Sequence, residues 1–484
     1  MSNNLPKCWI KTSLADISEL IFGQSPPSST YNTVGQGVPF FQGKTEFGKV
    51  SPRVDKWCDQ PKRIAQSGDI LISVRAPVGP TNLASTDCAI GRGLAAIRPI
   101  IVTLYVQYYL KYSEHILASK GTGTTFEAIT KDILQKHEIV VAPINEQKRI
   151  VDKIETLFSD LDKGEALMKQ VQQQLRVYRQ SVLKAAVTGE LTNEWREQNE
   201  HRLESGEALL LRIDKLRRES SKGKEVKFLT SNIEKPESLP NDWGWTTVEA
   251  ICELNRKCAY GVLQPGDHVV DGEILVRVGD INGGKVNFEE LKRISKKIYD
   301  QYQRTILQGN EVLITLVGAI GRSAVVPESL VGANVARAVG VIPVYTDEIY
   351  PQWLSYWFNS PKNSQLLVSL SHEVARKTLN LEDVRRFGVA IPPKEEQEEI
   401  VDKVDDIFSQ IDALEKWCAT ELARSEMLRQ SILKAAFSGE LLPQDPEDEP
   451  ASELLARIQA ERASAERDGN ARKSAGRRGR KATA

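Results

Sequence analysis

The sequence predicts a mixed α/β fold class in which two globular segments alternate with two long helices, a pseudo-twofold arrangement built by tandem duplication. Three observations carry this. Residues 143–191 and 393–441 align at a constant offset of 250 without a gap, and 21 of the 49 positions are identical. In the first of these stretches the series Ile150, Ile154, Leu157, Leu161, Gly164, Met168, Val171, Leu175, Tyr178, Val182, Ala185 advances in steps of four and three, a heptad seam along one helix. The segments 1–142 and 239–392 are instead rich in Gly, Pro, β-branched and aromatic residues, with short apolar runs such as 69–74 (DILISV) and 311–316 (EVLITL) that read as strands.

In chain order, segment 1–142 opens with Leu5-Pro6-x-x-Trp9, and segment 239–392 opens with Leu239-Pro240-x-x-Trp243; seven of sixteen positions match between 5–20 and 239–254. Segment 143–191 predicts a helix with Asn145 as N-cap and Gly189 as the C′ residue, about 43 residues and roughly 65 Å long at 1.5 Å per residue. Gly164 on its seam suggests a kink or a close approach. The second copy, 393–441, keeps the seam less well, because Glu421 and Ser425 replace Val171 and Leu175. A helix with one apolar stripe must bury it, and two copies can do so on each other; the repeat leaves open whether they run parallel or antiparallel. Segment 192–238 carries ten basic and ten acidic residues and reads as a short helix near 205–219 followed by a connector. Segment 442–484 echoes it, with residues 454–458 (LLARI) resembling 209–213 (LLLRI), and ends in a basic tail of Arg472, Lys473, Arg477, Arg478, Arg480 and Lys481. That tail reads as solvated chain or as a non-specific phosphate contact.

Composition narrows the function classes. The 484 residues exceed what one core holds, and the formal net charge of −1 lacks the global positive excess of a simple nucleic-acid binder. Six cysteines form no C-x-x-C and the five histidines never fall at i, i+3 or i+4, so no metal site is expected. No stretch approaches roughly 18 consecutive apolar residues, and the first residues lack a secretory pattern, so no membrane association is expected and the cytoplasm is the expected compartment.

Any DNA-binding charge must therefore be local. Segment 1–142 has 15 basic and 11 acidic residues (+4), segment 239–392 has 16 and 17 (−1), and the second helical segment has 6 and 12 (−6). Basic and amide side chains on Gly-containing loops have the chemistry of base-edge reading, where Arg pairs with guanine and Gln or Asn with adenine. In the first globular segment the candidates are Gln42, Lys44, Thr45, Arg75, Arg92, Lys120, Thr122 and Thr124. In the second they are Tyr260, Gln264, Arg277, Asn282, Lys285, Arg322, Asn334, Arg337, Arg376 and Lys377. For any one of them taken singly, a surface or turn role is the more ordinary reading. Catalytic patterns fail: residues 37–45 (GVPFFQGKT) have five rather than four residues between the glycines of a Walker A loop, and Gly91-x-Gly93 is not completed. Asp267, Glu290 and Lys292 have the residue types of a metal-dependent nuclease without its context. The expectation is a chain with no catalytic, cofactor or metal site.

The EQ..IVDK blocks (from Glu146 and Glu396), the RQS.LKAA..GEL blocks (from Arg179 and Arg429) and the Leu-Pro-x-x-Trp openings resemble those of the specificity subunit of type I restriction-modification enzymes, over essentially the whole chain. The resemblance implies two target-recognition domains, 1–142 and 239–392, each reading one half of a split, asymmetric site in double-stranded DNA. It implies that the two long helices are antiparallel and set the spacing of those domains. It also implies partners: two modification (methyltransferase) subunits using S-adenosylmethionine, and restriction subunits using ATP and Mg. The alternative is a coiled-coil scaffold that binds proteins and not DNA.

Overall fold

The computed structural model describes residues 5–121, 128–221, 229–373 and 377–464. Thr122, Thr124, Arg376 and the basic tail lie outside the described residues. The chain divides into two compact units, Met1–Met168 with Thr420–Ala484, and Lys169–Ala419. Each unit holds one globular domain and a portion of both long helices, Ile144–Val187 (44 residues) and Lys394–Ser438 (45 residues).

Apart from three two-residue strands, the first domain contains β1 (Ile10–Ser13), β2 (Ser18–Phe22), β3 (Val38–Phe41), β4 (Ile70–Ser73), β5 (Thr81–Leu83), β6 (Cys88–Ile90), β7 (Leu94–Pro99) and β8 (Glu138–Val141). One sheet has the order β2-β7-β4-β5, β1 pairs antiparallel with β8, and β3 pairs parallel with β6. The uninterrupted apolar run of β4 fits its place inside the sheet, since all four of its residues are buried. The second domain repeats the plan with β9 (Gly244–Thr247), β10 (Ala259–Tyr260), β11 (Glu273–Val276), β12 (Val312–Thr315), β13 (Ser323–Val325), β14 (Asn334–Val335), β15 (Val339–Ile342) and β16 (Gly388–Ile391). Its sheet order is β10-β15-β12-β13, β9 pairs with β16, and β11 pairs parallel with β14.

The repeated sequence blocks prove to be one constellation per unit. The Trp9 indole donates to Glu146 Oε2 at 2.8 Å, and the Trp243 indole donates to Glu396 Oε2 at 2.9 Å, tying each Leu-Pro-x-x-Trp opening to the first turn of a long helix. The next residue secures the strand–helix junction: Gln147 Nε2 donates to Ala142 O at 2.7 Å and Gln397 Nε2 to Pro392 O at 3.0 Å. The helices end at Gly189 (φ +76°) and Gly439 (φ +80°), the left-handed residue expected of a C′ glycine. A Cβ on Gly189 would lie 2.5 Å from Pro240 Cγ, and one on Gly439 would lie 2.4 Å from Pro6 Cγ, so the proline of each opening rests on a helix end.

Within the first unit the long-helix portions run antiparallel: Asp162 meets Arg429 and Glu165 meets Ser425. Within the second they do so too, Arg179 meeting Asp412 while Thr192, beyond the first helix, meets Glu396 near the start of the second. The seam departs from the expected series. Tyr178 is 52 % exposed, and Arg179 takes the inward place by laying its guanidinium 4.4 Å from the Phe408 ring centroid. Ala186 is fully buried where Ala185 was expected. Ser425 keeps its seam position by donating to Glu165 Oε1 at 2.7 Å, a polar contact in place of an apolar one. A Cβ on Gly164 would meet nothing within 4 Å, so no close approach requires that glycine. Asn145 lies inside the helix, which starts one residue earlier at Ile144.

Each domain is covered by a short helix. Gly206–Ser220 buries Leu209 and Ile213, and its buried Arg217 donates to the carbonyls of Glu249 and Cys252. Helix 451–464 buries Leu454 and Ile458 in the first unit, with Arg462 donating to Ala15 O at 2.6 Å. The first domain is therefore completed by the last described stretch of the chain.

Candidate nucleic-acid interface

In the first domain three strand ends converge. β3 delivers Gln42 and Gly43, and the Gly43 amide donates to Glu46 Oε2 at 3.0 Å, curling the chain so that Lys44 and Thr45 project. β6 extends its parallel pairing through Gly91 N to Phe41 O (2.8 Å), which brings Arg92 beside Gln42. A Cβ on Gly93 would lie 2.2 Å from Gln42 O, so this approach needs glycine. β4 continues through Val74, whose amide donates to Gly93 O at 2.9 Å, and presents Arg75. The result is an open cleft of about 610 Å³ lined by Gln42, Lys44, Thr45, Arg75 and Arg92, together with Ser25, Ser73 and small residues. Among the described residues, three cations and no carboxylate line it. All three cations are exposed, so their charge faces solvent. Half-buried Glu114 stands near Lys44; burial raises its carboxyl above the ordinary value, against the lowering by Lys44 and Lys111. Lys120 is exposed but does not line the cleft.

The second domain builds the same framework with different side chains. Arg277 follows β11 as Gln42 follows β3, and Ala336 N donates to Val276 O at 2.9 Å, the counterpart of Gly91 N to Phe41 O. Arg337 thus stands where Arg92 stands. The position of Arg75 falls to Val317, since Leu316 N donates to Ala338 O (2.8 Å) as Val74 N does to Gly93 O. Arg277 is already engaged: its guanidinium donates to Asp280 Oδ1 at 2.9 Å and to Glu290 O at 3.1 Å, and the Asp280 hydrogen bond raises its pKa. Asn334 is a correction to the sequence reading. It is fully buried, takes hydrogen bonds from Thr305 Oγ1 (2.7 Å) and Val335 N (2.8 Å) and donates to Tyr302 O (3.0 Å), so it is a framework residue with no edge left for a base.

The remaining candidates are dispersed. Gln264, Arg337 and Lys377 are exposed, and Tyr260 is 45 % exposed with its hydroxyl accepting from Leu381 N at 2.7 Å. Asn282, Lys285 and Arg322 line a separate hollow of about 930 Å³ shared with Arg179, Tyr356 and Phe408. There Lys285 is tied to Asp412 at 2.7 Å. Sequence reading missed the matching residue of the first domain, Lys49, which pairs with Asp162 at 2.6 Å. The signal was present as Gly48-Lys49-Val50 repeated in Gly284-Lys285-Val286.

The comparisons with known proteins agree with one another. The family described as "Type I restriction modification DNA specificity domain" matches residues 6–175 and 240–422, which together make up well over half of the chain. The chain is 32 % identical over 474 residues to the type I restriction enzyme EcoBI specificity subunit of Escherichia coli, covering 94 % of this chain and 92 % of that one. It is 26 % identical over 405 residues to the EcoKI specificity subunit of Escherichia coli strain K12, covering 78 % and 76 %. A solved chain from work on complex assembly and conformational transition of the type I R-M system superposes with a TM-score of 0.64 at 18 % identity, covering 91 % of this chain and all of that one, which shows a shared fold.

Proposed function

The chain belongs to the type I restriction-modification specificity-subunit family, and we propose that it reads a bipartite, asymmetric target in double-stranded DNA, one half-site by the cleft of each globular domain. As a specificity subunit it recognises DNA sequence within the restriction-modification complex, associates there with methyltransferase and restriction subunits, and is a non-catalytic component. The observation that carries the finer reading is the convergence of Gln42, Lys44, Thr45, Arg75 and Arg92, from three separate stretches of sequence, on one cleft that no carboxylate lines among the described residues. The same framework recurs in the second domain with altered side chains, as two readers of unlike half-sites require.

Two copies of one partner are supported by a duplicated surface on the long helices. In the first unit Leu167 (61 %), Met427 (64 %) and Leu428 (42 %) are exposed; in the second, Trp417 (51 %), Val177 (58 %) and Tyr178 (52 %) are. These are the same positions of the two repeats, 250 residues apart. Apolar side chains kept exposed at matching places mark a protein-binding face that occurs twice. We assign it to two modification subunits. On this reading S-adenosylmethionine, ATP and Mg belong to the partner subunits, and the complex works in the cytoplasm without membrane contact. No helix among the described residues is long and apolar enough to cross a membrane.

The test is duplex binding by this chain in complex with its modification subunits, over a salt series, with each half-site scrambled in turn. Specific binding that falls with salt and is lost on scrambling either half supports the reading. Binding indifferent to sequence would leave the protein-scaffold alternative.

A further inference from the structure

One arrangement recurs in both units and is not explained by the reading clefts. In the first unit, Asp162 Oδ2 accepts from Lys49 Nζ at 2.6 Å and Asp162 Oδ1 accepts from Arg429 at 2.7 Å, while the Arg429 guanidinium lies 5.1 Å from the Phe158 ring centroid. In the second, Asp412 Oδ2 accepts from Lys285 Nζ at 2.7 Å and Asp412 Oδ1 from Arg179 at 2.5 Å, with Arg179 over Phe408. The helix residues are repeat partners and identical: Phe158 and Phe408, Asp162 and Asp412, Arg179 and Arg429. Lys49 lies in a loop and Lys285 at the turn of a short hairpin, Ile281–Asn282 with Lys285–Val286; the two segments have otherwise diverged, keeping only Gly-Lys-Val.

A single exposed lysine–aspartate pair is commonplace and contributes little. Here each carboxylate gives one oxygen to a cation of the other long helix and one to a cation of the globular domain. The arginines are only 17 % exposed, so the helix side of the arrangement is rigid, whereas Lys49 and Lys285 are 77 % and 73 % exposed. The Gly-Lys-Val loop also follows directly on a segment that builds a cleft. Lys49 lies three residues beyond Glu46, whose carboxylate curls 43–46, and Lys285 lies five beyond Asp280, which holds Arg277. Whatever fixes these lysines fixes the neighbouring reading segment against the helices of its own unit.

We propose that Asp162 and Asp412 are positioning residues, ionic clasps that hold the Gly-Lys-Val loop of each domain on the long-helix pair and so set the angle at which each cleft meets its half-site. The inference rests on the DNA-reading proposal for its consequence, but the clasp itself is testable without DNA. Loss of a clasp loosens one domain's loop only, and makes the complex tolerant of targets whose half-sites are wrongly spaced.

The experiment uses Asp412→Asn, Asp162→Asn and the conservative Asp412→Glu. Hydrogen–deuterium exchange on the full chain should show faster exchange at 281–286 in Asp412→Asn with 47–50 unchanged, the reverse in Asp162→Asn, and near-native protection in Asp412→Glu. In complex with modification subunits, the methylation rate on the cognate duplex is compared with that on one whose spacer is one base pair longer. Each Asn variant should narrow that ratio by about two- to fivefold, the range an exposed ion pair supports, and Asp412→Glu should restore it. Unchanged exchange in both Asn variants overturns the clasp. Faster exchange with an unchanged spacer ratio overturns its positioning role. A native complex that methylates no split site overturns the DNA-reading proposal and leaves the exchange result to judge the clasp alone.

Discussion

Glu146 and Glu396 occupy the same place in the two repeats, are buried in the same way and receive the same tryptophan hydrogen bond, yet their surroundings differ. Glu396 Oε1 also accepts from Thr192 Oγ1 at 2.7 Å and from Arg196 at 2.5 Å, so both oxygens are satisfied. Glu146 has Gln444 nearby in place of that arginine, and its Oε1 has no hydrogen-bond partner among the described residues. Burial raises both carboxyls above the ordinary range; at Glu396 this is opposed by Thr192, Trp243 and Arg196, at Glu146 by Trp9, Gln444 and the more distant Arg149. The converging strand ends differ likewise, Arg75 against Val317 and Gln42 against an Arg277 paired with Asp280. The clasp on the long helices is built from identical helix residues in both units. Duplication has thus preserved what mounts each domain on the helices and let the support beneath the mount and the surface above it drift.

The largest effect should come from breaking the better-supported side. Arg196→Ala leaves Glu396 buried without its cation, which costs about 3–5 kcal/mol. Hydrogen exchange should show the loss of protection in the second unit, and equal loss in the first would contradict the local account. Next, Arg75→Ala removes a cation for which the second cleft has no counterpart. If it pairs with a guanine edge, binding should weaken by about 1–3 kcal/mol, seen as relaxed preference at one half-site while the other is unchanged.

Glu146→Gln should sharpen the comparison in the opposite direction. Replacing this buried carboxylate with a neutral amide removes the cost of burying a charge while keeping an acceptor for Trp9, so it should be tolerated or slightly stabilising in the first unit at neutral pH, while Glu396→Gln, which breaks the pair with Arg196, should destabilise the second. Because the folded value of Glu146 is raised, the native protein is stabilised by its protonation at low pH and loses that contribution as pH rises through the folded value. The advantage of Gln should therefore shrink on acidification, which thermal melts across pH would show. The smallest effect belongs to the clasps. Hydrogen bonding from Lys49 lowers the Asp162 carboxyl, with Arg429 adding to it; at Asp412 the opposing effect of burial is outweighed by Lys285 and Arg179. Depressed folded values mean stability that is present above the unfolded value and lost as pH falls through the folded one, about 0.2–1 kcal/mol per exposed pair. Exchange at 47–50 and 281–286 should rise together in strong acid.

Much of the fold was legible because duplication writes the same constraint twice. The offset of 250 marked both long helices, and Gly189 marked an end because only a residue tolerant of positive φ closes a helix there. The first cleft was legible because Gly91 and Gly93 sit where strand ends pass close together, leaving Gln42, Lys44, Thr45, Arg75 and Arg92 to face outward. What sequence reading did not supply were the partners that each side chain finds in the folded chain. The heptad series selected Tyr178, but Arg179 packs inward because Phe408 and Asp412 receive it. Asn334 looked like a base reader and is instead consumed by Thr305 and Tyr302. Arg277 carries the right chemistry and remains a candidate, with its guanidinium paired to Asp280 three residues on. Lys49 was passed over because its segment is rich in charge; the Gly-Lys-Val shared with Lys285 was the signal, and the position of Asp162 in the folded chain gives it meaning.

The most direct test of the central claim is a genome-wide map of methylated adenines in cells carrying this gene and its modification partner, compared with cells lacking the gene and cells carrying Arg75→Ala with Arg92→Ala. The account predicts one split, asymmetric motif that vanishes on deletion and, in the double variant, is degraded in one half while the other half keeps its sequence. A motif that persists without the gene, or that degrades equally in both halves, would contradict it.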